Sequence, residues 1–118
     1  KNLYKMPIKK VYFRGSSLAD LRLFPEAAKR DAGYQLDRIQ RGLKPTDFKF
    51  MRVVGKSVYE IRIEESTGAF RVIYIAKFKN SLYVLHCFQK KTQKTAKRDL
   101  ELAKSRYAEL MRERRDEN

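Results

Sequence analysis

The chain has 118 residues, 28 of them Lys or Arg against 14 Asp or Glu, for a formal charge of +14. It is long enough to bury one modest core, and 42% hydrophobic residues is too high a share for a disordered chain. A single cysteine and a single histidine exclude an internal disulfide and a Cys/His metal cluster, while the charge excess calls for a polyanionic partner.

No apolar stretch approaches the roughly 20 residues of a membrane span. No leader pattern opens the sequence. Both readings predict a cytoplasmic protein without a membrane partner. With no low-complexity tract, repeat or long linker, the expectation is one domain over residues 1–118.

Residues 8–13, IKKVYF, form a short strand candidate that Gly15 interrupts. Ser17 with Asp20 resembles a helix N-terminal box ahead of a short helix over residues 18–23. Phe24-Pro25 opens a second helix. Its apolar positions Ala28, Ala32, Leu36, Ile39 and Leu43 lie on one face, and Gly42 caps it. Gly33 in mid-helix predicts close packing at that point. Residues 44–48, KPTDF, read as a loop.

Three strands follow. Residues 58–64 set Val58, Tyr59, Ile61 and Ile63 against Glu60, Arg62 and Glu64. After the Ser66-Thr67-Gly68 turn, residues 69–78 are apolar on both faces, as a central strand is. A turn at Lys79-Asn80-Ser81 leads into residues 82–89. From Thr95 the chain reads as helix, with Ala96, Leu100, Ala103, Tyr107 and Leu110 or Met111 in one stripe. The element order is β-α-α-β-β-β-α. Short connections predict an antiparallel meander with helices on one side and an open face on the other.

Surface lysines need no special account, but arginines within strands do. Arg71 sits in AFRVIY, Arg62 in the preceding strand, and pairing about Gly68 brings the two close across the ladder. Lys77 is another cation of the second strand. The third strand ends in His86, Cys87, Phe88, Gln89, Lys90 and Lys91, with Lys94 beyond. These cations either converge on a phosphate, which the planar guanidinium fork suits, or pair with Glu60 and Glu64 across the strands. His86, on simple alternation, shares a face with Val84 and Phe88 and is either packed or a proton carrier. Cys87 lies in an apolar run and reads as a buried thiol.

YEIRI, then FRVIY, then YVLHCFQKKTQKT, then a helix opening AKRDLELA, resembles the phage-derived RelE-like toxins of the RelE/ParE (HigB-like) superfamily. The likeness also takes in the helical pair GSSLADLRLFPEAAKRDAGYQL. It implies an α+β, RelE-like fold: a curved antiparallel sheet with an N-terminal helical pair and a C-terminal helix. It implies the toxin of a type II toxin–antitoxin pair, held in check by a small helix-turn-helix antitoxin. RelE-like and HigB-like branches cut mRNA, usually in the ribosomal A site, by attack of the 2′-OH on the adjacent phosphate. They do so without a metal or other cofactor.

Carried over by resemblance, Arg71 binds the scissile phosphate and Arg62 assists it. Lys90 and Lys91 stabilise charge or protonate the leaving group. His86 is a weaker candidate for proton transfer and Phe88 for base stacking. Lys77, Gln89 and Lys94 complete the RNA-binding set. Tyr107 lies too deep in the helical stripe to match the tyrosine of some members, which leaves the general base unassigned. Two alternatives stand beside the endoribonuclease: a ParE-like gyrase inhibitor, and a nucleic-acid-binding protein without chemistry.

Overall fold

A computed structural model describes residues 7–116. The order is β1 (Lys10–Phe13), α1 (Ser17–Arg22), α2 (Glu26–Gln40), β2 (Phe48–Phe50), β3 (Val58–Glu65), β4 (Gly68–Ile75), β5 (Ser81–Lys90) and α3 (Lys97–Asp116). The expected helices and strands are present within a few residues of their predicted bounds, and one strand, β2, is additional. The five strands form a single sheet in the order β1-β5-β4-β3-β2.

The meander β3-β4-β5 is antiparallel, as short turns dictate. Gly68, with φ of 143°, makes the turn between β3 and β4, in a conformation that L side chains rarely adopt. β2 extends the antiparallel set, pairing Lys49 with Glu60 and Phe50 with Tyr59. β1 departs from the expectation of a wholly antiparallel sheet: it lies parallel to β5, with Lys10 opposite Ser81 and Phe13 opposite Val84. The helical pair belongs to the long connection that a parallel neighbour requires.

Both sheet faces carry a helix, which corrects the expectation of helices on one side only. On the first face, Leu21 of α1 and Ala28, Ala32, Leu36 and Ile39 of α2 pack on Ile61, Ile63, Phe70, Val72, Leu82, Val84 and Cys87. On the second, Ala103 and Leu110 of α3, with Leu100, Tyr107 and Met111, cover Val58, Ile73, Ile75, Leu85 and Phe88. The apolar stripe of α3 is amphipathic for this reason. The α2 stripe ends at Ile39. Leu43 falls beyond the helix and is exposed, because Gly42 turns the chain at φ of 86°.

The predicted close packing at Gly33 is absent: a Cβ there meets nothing within 4 Å. Close approaches occur at other glycines, among them Gly55, where a Cβ would run into the Tyr107 ring. At the start of α1, Ser16 rather than Ser17 engages Asp20, through Oγ to Oδ2 at 2.8 Å. Ser17 is buried and its hydroxyl donates to the Val84 carbonyl. Among the described residues no helix is long and apolar enough to cross a membrane.

Candidate functional site

Strand period and register decide which side chains meet. Lys49 pairs with Glu60, Arg62 with Arg71, and Ala69 with Lys90. Because alternate residues share a face, Lys49, Glu60, Arg62, Glu64, Arg71 and Lys90 all belong to the second face. This is the face that α3 covers farther along the strands, over Val58, Ile73 and Ile75. The open surface is thus the charged end of one face rather than a whole one.

Arg62 and Arg71 stand directly opposite each other. Like charges in that relation cost on the order of 1 kcal/mol unless neutralised. Each has its own carboxylate. Arg62 Nε donates to Asp47 Oδ1 at 3.0 Å, at the mouth of β2. Arg71 Nη1 donates to Glu64 Oε2 at 2.9 Å and to the Phe70 carbonyl at 3.0 Å. Arg71 is only 6% exposed, so its charge is held largely out of water.

Glu60 lies deeper still. It is 0% exposed, and neither carboxyl oxygen has a hydrogen-bond partner among the described residues. Arg71 Nε approaches Oε1 to 3.7 Å and Lys49 Nζ to 3.9 Å, too far for hydrogen bonds. Arg71 Nε is likewise unpartnered among those residues. Burial holds the Glu60 carboxyl above its ordinary range, while Lys49, Arg71, Lys90 and Arg62 pull it back. On alternation Glu60 reads as one more solvent-facing carboxylate of β3. Its one sequence signal is its place two residues after Val58 in an otherwise apolar strand end.

Two open grooves flank the cluster and share Lys90. One, of about 380 Å³, is lined by Arg71, Lys90, Lys91 and Gln93. The other, of about 480 Å³, is lined by Lys49, Arg52, Lys90 and Lys94. Lys91 and Lys94 are exposed on the loop before α3. The structure thus brings Arg62, Arg71, Lys90, Lys91 and Lys94 to one region.

The remaining expected residues lie elsewhere. Lys77 follows the end of β4, exposed, and borders an apolar groove with Leu43, Phe48, Tyr59 and Tyr74. Gln89 is exposed and its amide reaches the Thr67 carbonyl at the β3-β4 turn. Phe88 is 8% exposed and stacks on His86, with ring centres 5.2 Å apart, inside the second core. Tyr107 is half-buried in the same core.

His86 does not share a face with Val84. The ladder passes from Ile73–His86 to Tyr74–Val84, so Leu85 is an extra residue that flips the alternation. Both His86 ring nitrogens are engaged: Nε2 with Asp99 Oδ1 at 2.7 Å, Nδ1 with Arg106 Nη1 at 3.2 Å. Arg106 also donates to the Leu85 carbonyl and to Ser16 Oγ. An N–H from Arg106 makes Nδ1 the acceptor and Nε2 the donor. The chain of contacts fastens α3 to β5 and to the start of α1. Cys87 faces the other core and is buried, and burial pushes its thiol well above the ordinary range.

The family described as phage derived protein Gp49-like (DUF891) matches residues 19–108, from within α1 to the middle of α3. The chain belongs to the Gp49-like family. That family is a RelE-like toxin family, which places the chain with the toxins of toxin–antitoxin systems and implies an antitoxin partner. The α+β architecture agrees with the RelE-like fold. A comparison with curated proteins found no match. The Gp49-like match includes the whole of β2 to β5 and the basic loop, and so the entire cation cluster.

Proposed function

We propose that the protein is an endoribonuclease toxin that cleaves mRNA on the ribosome, with the Arg71–Lys90 cluster as its phosphate site. The observation that carries this reading is the convergence of Arg62, Arg71, Lys90 and Lys91 at the one end of the second sheet face that α3 leaves open. In this reading the RNA 2′-oxygen attacks the adjacent phosphorus as its proton leaves. The bond to the 5′-oxygen then breaks, giving a 2′,3′-cyclic phosphate and a 5′-hydroxyl end.

The chain's residues act on charge. Arg71, fixed by Glu64 and the Phe70 carbonyl, presents its guanidinium to the phosphate oxygens as they gain negative charge. Lys90, at the junction of the two grooves, supplies a mobile point charge or a proton for the leaving oxygen. Lys91 and Lys94 guide the backbone on either side. His86, with both nitrogens occupied, positions α3 and through it the basic loop. Placement of the RNA by the ribosome supplies the in-line geometry that so sparse a catalytic set lacks.

Purified protein added to ribosomes programmed with a defined mRNA tests this. Cleavage in the A site, with a cyclic phosphate on the upstream fragment, is the expected result. Intact mRNA, together with inhibited DNA supercoiling by gyrase, would overturn it.

A further inference from the structure

The Glu60 carboxyl and an incoming phosphate compete for the same cations. Glu60 is faced by Lys49 from β2, Arg71 from β4, Lys90 from β5, and Arg62 along its own strand. Asp47 neutralises Arg62, and Glu64, also on β3, neutralises Arg71. Four cations against three carboxylates leave the cluster at +1 while Glu60 is ionised, and at +2 once it is protonated. Neither Glu60 oxygen is hydrogen-bonded among the described residues, and the nearest cationic nitrogens stand off at 3.7 and 3.9 Å. A fully buried carboxylate held this loosely is stabilised by charge alone.

We propose that the cluster is a proton-linked phosphate site: when a phosphodiester anion enters between Arg71 and Lys90, Glu60 takes up a proton. The proposal rests on the phosphate-site reading above and deepens it. The bound anion draws the charge of Arg71 and Lys90 toward itself and repels the carboxylate. A second negative charge beside a buried carboxylate disfavours its ionised form and so moves the carboxyl pKa further up. Burial already biases Glu60 toward its neutral form. The protonated carboxyl then has an O–H to donate, in place of a second negative charge in a site built for one.

The test is calorimetric titration with a short oligothymidylate at mildly acidic pH, repeated in buffers of different ionisation enthalpy. Oligothymidylate has no 2′-OH to react and no group that titrates in that range. The wild type is expected to bind it with net proton uptake. Glu60→Gln is expected to bind it more tightly, by several-fold, with that uptake lost. His86, which faces Asp99 and Arg106 instead, is left unchanged in the variant and serves as the internal control. If Glu60→Gln fails to fold, carbon-13 NMR of the wild-type glutamates reads the Glu60 carboxyl directly, and its midpoint must rise when oligothymidylate is present. Binding without proton uptake, or equal uptake in the variant, would overturn the linkage while leaving the phosphate site standing. Oligothymidylate binding indifferent to Arg71→Lys and Lys90→Gln would instead remove the phosphate site itself.

Discussion

Arg71 Nε and Glu60 Oε1 lie 3.7 Å apart, both buried beneath the charged end of one sheet face, and neither atom has a hydrogen-bond partner among the described residues. The guanidinium is therefore held by its other end, through Glu64 and the Phe70 carbonyl, and one edge of its fork is uncommitted. Arg71→Lys keeps the charge and removes the fork. It is expected to fold and to lose mRNA cleavage by roughly 100-fold, the scale of losing one preorganised donor to transition-state charge. Single-turnover cleavage on programmed ribosomes, beside a melting curve, checks both halves.

Glu60 makes stability fall as pH rises. Its folded pKa is raised above the ordinary 4.5. In the window just above 4.5 the native state therefore keeps a proton that the unfolded chain has released. Stability from this group is fully present below 4.5 and is lost as pH climbs through the folded pKa. Glu60→Gln lacks that loss. The melting temperature of the variant minus that of the wild type should widen with pH across this window and then level off. A constant difference would show that Glu60 ionises as freely in the folded state as in the unfolded one.

The His86 contacts predict a stability effect separable from toxicity. His86→Ala leaves Asp99 and Arg106 without their shared partner at the junction of β5, α1 and α3. The expected cost is about 1–3 kcal/mol, read by denaturant unfolding. Growth arrest should persist at a temperature where the variant stays folded. If cleavage fell as far as with Arg71→Lys while the fold held, His86 would belong to the chemistry.

Two glycines predict opposite signs. Gly33 is exposed in α2, and a methyl group added there has nothing within 4 Å, so Gly33→Ala should stabilise by up to about 1 kcal/mol. At Gly55 a Cβ would run into the Tyr107 ring, so Gly55→Ala should destabilise by about 1–3 kcal/mol through overpacking. Thermal melts of the two variants settle both signs.

Much of this architecture is legible in the sequence, for reasons that also mark its limits. β3, β4 and β5 announce themselves because alternation and the turns at Gly68 and Asn80 are local. The opposition of Arg62 and Arg71 follows from the first of those turns. β2 is three residues long, and only its pairing with β3 makes it a strand. The parallel partnership of β1 with β5 joins segments far apart in the chain and leaves no periodic trace. The extra residue at Leu85 reverses the parity of β5, which takes His86 away from Val84 and hides its contacts with α3 from simple alternation. The burial of Glu60 depends on the neighbours that β2 and β5 bring to it, so alternation alone assigns it to solvent and its apolar strand end is a faint signal. Gln89 and Phe88 are legible as residues of the last strand, but packing sends Phe88 into the core.

The most direct measurement is 5′-end mapping of cellular mRNA after induced expression of the wild type and of an Arg71→Lys/Lys90→Gln pair. The account predicts growth arrest with new 5′ ends inside translated codons in the wild type, and neither with the folded double variant. Arrest with intact mRNA, or unchanged cleavage by the double variant, would contradict it.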